Sequence, residues 1–170
     1  GASLNRTQSY SVPLSLTGNY RVVVTSDYYG QIAESTQNES NNTTTDDRSI
    51  SLQLAPVPNL QVTGVTAPST AFSSQEIAVQ WTVKNVGTGA TNAPIWYDRV
   101  YLSLDTTYDS TDTYLGHTVN PSYLNPNESY ANSLTVSLPR GIDNNYYFLV
   151  QTDGYNYVTE VGNEEDNWKS

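Results

Sequence analysis

Residues 77–83, Ile-Ala-Val-Gln-Trp-Thr-Val, alternate without a break: Ile77, Val79, Trp81 and Val83 point one way, Ala78, Gln80 and Thr82 the other. A period of two marks a strand with one buried face. In a helix the same apolar residues would spread around the axis and bury no common side. The period recurs over 60–66, 95–104, 114–119, 130–138, 146–152 and 157–161. Clusters of Gly, Pro, Asn and Asp punctuate these runs, and no window carries a helical period. Strands of this length, each with one apolar face, predict an all-β fold, an immunoglobulin-like antiparallel β-sandwich.

Part of the pattern is written twice. NYRVVVTSDYYGQIAEST (19–36) resembles NYYFLVQTDGYNYVTEVG (145–162), with Tyr20, Val24, Asp27 and Glu34 matching Tyr146, Val150, Asp153 and Glu160 at a constant offset of 126. NESNN (38–42) precedes NEEDN (163–167) by 125, and SLNRTQSY (3–10) precedes YLNPNESY (123–130) by 120. The sequence therefore predicts a tandem repeat, one partial unit plus one nearly complete unit: 1–54 as the C-terminal part of the first, 55–58 as a Pro-rich linker, 59–170 as the second. After the first motif, Ile50, Leu52 and Leu54 alternate as a strand that has no counterpart after the second. The expectation is strand completion, within the chain or head to tail between copies, which builds a fibre if the contacts do not close.

The chain carries a net charge of −10, and its seven Lys and Arg residues are scattered, so no basic stripe is present for nucleic acid or an anionic membrane. With no cysteine, disulfides, thiolate chemistry and sulfur-bound zinc are excluded. The longest apolar run, at 146–150, is far too short to insert in a membrane. The absence of methionine and the opening Gly-Ala-Ser suggest a processed or excised piece. His117 is the lone histidine and lacks the partners of a nucleophile relay, so enzyme activity is not expected.

APSTAFSSQEIAVQWTVKNVGTGAT (67–91), WYDRVYLSLD (96–105), YLG (114–116) and TEVGNEEDN (159–167), in that order, resemble successive blocks of the CARDB repeats, the cell-adhesion-related domains found in bacteria. The resemblance covers essentially all of 59–170, and 1–54 is similar to the end of such a repeat. It implies a non-catalytic, immunoglobulin-like module of a large secreted or surface-attached bacterial protein. The resemblance implies no known ligand; the expected partners are other copies of the repeat, or a cell-surface protein or glycan.

Two acidic stretches are candidate calcium sites, because calcium takes about six to eight hard oxygen ligands. One is the loop with Asp105, Asp109 and Asp112; the other joins Asp153 to Glu160, Asn163, Glu164 and Asp166. Each has a plainer reading, since Asp and Asn shape turns by bonding their own backbone, and the loop lacks EF-hand spacing. Tyr155 and Tyr157, beside a turn, offer an alternative ligand surface: exposed rings can stack on sugars, as in the carbohydrate-binding module of a secreted enzyme.

Overall fold

The computed structural model describes residues 3–35, 41–120 and 122–170, so residues 38–40 of the first motif copy lie outside the described residues. The chain divides into two compact units, Gly1–Ala55 and Pro56–Ser170.

The described residues of the first unit hold four three-residue strands, β1 (Gly18–Tyr20), β2 (Val23–Thr25), β3 (Thr43–Thr45) and β4 (Ile50–Leu52). β1 pairs antiparallel with β4, and β2 with β3. None of its described residues is buried, and Val22, Val23, Val24 and Ile50 are exposed.

The second unit is the sandwich. β5 (Leu60–Thr66), β6 (Glu76–Asn85) and β9 (Ser129–Ser137) form a three-stranded antiparallel sheet in that order. Facing it, the second sheet runs β11 (Trp168–Lys169), β10 (Tyr147–Gln151), β7 (Trp96–Ser103) and β8 (Thr113–Asn120). The inward face of β6 contributes Ile77, Val79, Trp81 and Val83, all buried, as its alternation demands. Leu60 and Val62 join them from β5, Trp96, Val100 and Leu102 from β7, and Val150 from β10. Leu124, Leu138 and Val158 close the rim from outside the strands.

Two local expectations change. Residues 157–161 are not a strand: the Asp153 carboxylate accepts the Tyr157 and Val158 amides at 2.9 and 2.8 Å, removing the donors that a ladder would need. The segment still buries Val158 and Glu160. The stretch expected as a linker is also docked to the sandwich at its C-terminal end. Val57 O accepts the Thr88 and Gly89 amides at 3.0 and 2.9 Å, and Asn59 O accepts Val86 N–H at 2.7 Å. Gly87 and Gly89 make this approach possible, because a Cβ at either would lie 2.4–2.5 Å from backbone atoms of Asn59 or Pro56.

The duplicated passages share local geometry. Val24 faces Thr44 across β2 and β3, as Val150 faces Lys169 across β10 and β11. Ser26 N–H donates to Asn42 O and Thr152 N–H to Asn167 O. Asp27 and Asp153 both sit in the left-handed region, φ 44° and 47°. Asp27 accepts from the Gln31 and Ile32 amides, as Asp153 does from Tyr157 and Val158.

Candidate functional site

The second acidic stretch forms the sandwich's closing turn. After β10, Asp153 turns the chain and holds it with both carboxylate oxygens on backbone amides. The chain then passes Val158 into the core, brings Glu160 beneath the start of β5, makes a 3-10 turn over Glu164–Asp166 and returns as β11. Glu160, 1% exposed, accepts from Leu60 N–H and, at 2.7 Å, from Asn167 Nδ2. Glu164 accepts Glu160 N–H at 3.0 Å. Asp166 Oδ2 accepts from Asn59 Nδ2 at 3.1 Å and Gln61 Nε2 at 2.6 Å. The turn thus joins side chains from both ends of the unit.

Burial governs the charges here. It pushes the Glu160 carboxyl up to about 7 against the hydrogen bonds from Asn167 and Leu60, and the nearby Glu164 and Asp153 carboxylates push the same way. Burial likewise raises Asp153 to about 6, opposed by its two amide donors. Asn163 donates its backbone N–H to Glu160 O, a turn-forming role.

The 105–112 loop is organised locally. Asp105 accepts Thr107 N–H at 2.7 Å, Asp109 accepts both Thr111 N–H and Oγ1, and Asp112 accepts Asp109 N–H at 2.8 Å. These are turn bonds of the kind Asp makes with its own backbone. Asp105 and Asp109 are exposed, and the described residues hold no group of three or more His, Cys, Asp or Glu arranged to bind a metal ion.

Tyr155 and Tyr157 lie together, ring centroids 6.0 Å apart, and both pack edge-on against Tyr97. His117 meets Tyr97 edge-on, and the Arg99 guanidinium sits 3.9 Å from the Tyr155 ring centre. Both tyrosines remain about half exposed.

A further polar centre lies within the sandwich. Asp98, fully buried, accepts from Trp81 Nε1 at 2.8 Å, Thr152 Oγ1 at 2.9 Å and Tyr130 OH, while Trp96 Nε1 donates to Tyr130 OH at 3.0 Å. Burial raises the carboxyl above its ordinary value despite these donors, and burial beside Asp98 raises the Tyr130 hydroxyl. Sequence reasoning missed Asp98, although its signal was present: an acid at an inward position between Trp96 and Val100. It also missed Asn59, for which no local signal exists, since its partner Asp166 is 107 residues away.

Two facing antiparallel sheets around one apolar core, closed by a polar turn, define an immunoglobulin-like β-sandwich module. The chain belongs to the CARDB family, whose family model matches residues 57–170. CARDB is an adhesion-related, non-catalytic domain family. No curated protein matches the chain. Among solved structures it is similar to the crystal structure of the CARDB domain of a Pyrococcus furiosus protein in complex with di-metal ions: 22% identical, covering 66% of this chain and 83% of that one, TM-score 0.48. It is also similar to a solution structure of the same Pyrococcus furiosus domain, at 22% identity, 67% and 91% coverage and TM-score 0.47. Among the described residues, no helix is long and apolar enough to cross a membrane.

Proposed function

We propose that the chain is part of an extracellular, non-catalytic adhesion or spacer array, in which CARDB-type units follow one another and complete each other's sheets head to tail. One observation carries this reading. Val24 and Val150 occupy matching positions in matching strand pairs, yet Val150 is fully buried and Val24 is 57% exposed. The strands of the first unit match closing strands of the sandwich, and among the described residues their apolar side chains, Val22, Val23, Val24 and Ile50, are uncovered. Another copy of the repeat, or a cell-surface protein presenting a sheet edge, is the partner this surface suits. Calcium is the metal suited to the module, given its acidic balance and the oxygen-rich closing turn.

The test is size-exclusion chromatography with light scattering over a dilution series. Head-to-tail completion predicts species that grow with concentration, whereas a monomer at every concentration would refute completion between copies.

The clustering of Tyr97, Tyr155 and Tyr157 favours a second reading, carbohydrate binding. Arg99 occupies part of the Tyr155 ring surface, which weighs against it. Polysaccharide pull-down that is lost in Tyr155→Ala and Tyr157→Ala would support this reading, and absence of binding to any glycan would remove it.

A further inference from the structure

The closing turn leaves several buried acceptors without a donor. The donors seen at the turn serve other oxygens: Leu60 N–H and Asn167 Nδ2 serve Glu160, Glu160 N–H serves Glu164, and Asn59 Nδ2 and Gln61 Nε2 serve Asp166 Oδ2. Four side-chain oxygens remain buried without a partner: Asn59 Oδ1, Glu164 Oε2, Asp166 Oδ1 and Asn167 Oδ1. They are the only buried, unpartnered side-chain polar atoms among the described residues, and all belong to this turn and the residue preceding β5. Asn167 is 1% exposed; its amide nitrogen donates to Glu160, and its carbonyl oxygen has no partner. The ion pair seen among the described residues, Arg48 with Asp46, lies in the other unit.

Buried polar atoms are nearly always satisfied. Four orphans that are all oxygens, with none among the donors, beside the carboxyls of Glu160, Glu164 and Asp166, are the set that a hard cation with its bound water would satisfy. We propose that Asn59, Glu164, Asp166 and Asn167 hold one calcium ion, with water completing its shell, and that the ion ties the start of β5 to the closing turn. Two carboxylates and two amide carbonyls form a hard, oxygen-only set suited to calcium; zinc would seek nitrogen or sulfur. Because amides supply half of it, the set does not depend on a cluster of three acids. This ligand set rests on the calcium-stabilised reading of the module and excludes Asp105, Asp109 and Asp112.

The experiment is calorimetric titration of calcium into the EDTA-stripped full chain, with melting curves in EDTA and in excess calcium. The wild type is expected to bind one ion with a dissociation constant of about 0.1–1 mM, the range of extracellular modules, and to melt higher in calcium. Asp166→Asn and Asn59→Ala should each weaken binding at least about tenfold, the equivalent of losing one good ligand. Asn59→Ala buries no new charge, so it reports on the site even if Asp166→Asn fails to fold. Asp109→Asn should bind like the wild type. Full affinity in Asn59→Ala, or loss of binding in Asp109→Asn, would overturn the ligand set while leaving a calcium-dependent module. No binding and no melting shift in the wild type would overturn both.

Discussion

Trp81 and Trp96 carry indole N–H groups into the core, and each needs an acceptor there. Asp98 and the Tyr130 hydroxyl provide them. Trp81 is 2% exposed, so Trp81→Ala removes a large apolar volume and leaves Asp98 short of a donor. The expected loss is about 3–5 kcal/mol in urea unfolding. A loss below about 1 kcal/mol, the range of surface substitutions, would mean the site collapses without cost. Asp98 itself adds a pH dependence. Its carboxyl is raised above 3.8 in the fold, so the native state holds the proton more tightly than the unfolded chain. Its contribution to stability is therefore full below the ordinary carboxylate value and is lost as pH rises through the raised one. Asp98→Asn cannot titrate. In metal-free buffer, wild-type stability should decline relative to the variant as pH rises from the acid range, and parallel stability curves would contradict the shift.

At the scale of elements, the loop after β6 decides how the unit begins. Gly87 and Gly89 leave room for the backbone of Pro56–Asn59, and a methyl group at Gly87 would stand 2.4 Å from Asn59 N. Gly87→Ala is expected to cost about 1–3 kcal/mol, as overpacking does, whereas Gly64→Ala, with nothing within 4 Å of its Cβ, should be near neutral. Equal melting temperatures for the two variants would show that the 56–59 strap can move aside freely. The strands were legible wherever burial is one-sided: residues 60–66 coincide with β5, and the alternation at 77–83 lies within β6. Residues 157–161 alternate too, but the periodicity there reflects Val158 and Glu160 turning inward along a coil whose amides are held by Asp153. Docking of Val57 was hidden because prolines flank it and its partners lie about 30 residues downstream. The motif at 163–167 was readable as a polar turn or as a cation site. Its contacts with Asn59 and Gln61 were not, since nothing local encodes a pairing across more than 100 residues.

The two units differ most over the whole molecule in what they bury. The sandwich encloses a continuous core from Leu60 to Val158, whereas residues 3–35 and 41–55 contribute no buried side chain. Two-stranded sheets without an apolar cover are marginal on their own, since each strand pair gains few hydrogen bonds against the entropy of ordering it. Their amides should therefore open at little cost, while those of β6, bonded on both sides by β5 and β9, should open only when the sandwich unfolds. Hydrogen exchange followed by mass spectrometry at micromolar concentration should show β1–β4 labelled at least about a thousandfold faster than β6, a difference of roughly 4 kcal/mol in opening free energy. If head-to-tail completion operates, raising the concentration should protect Val23–Thr25 and Ile50–Leu52 selectively, because these strands carry the uncovered apolar face. Protection of β1–β4 equal to that of β6 in a dilute, strictly monomeric sample would mean that the first unit is stabilised within its own chain, and the array would then need no exchange of strands between copies.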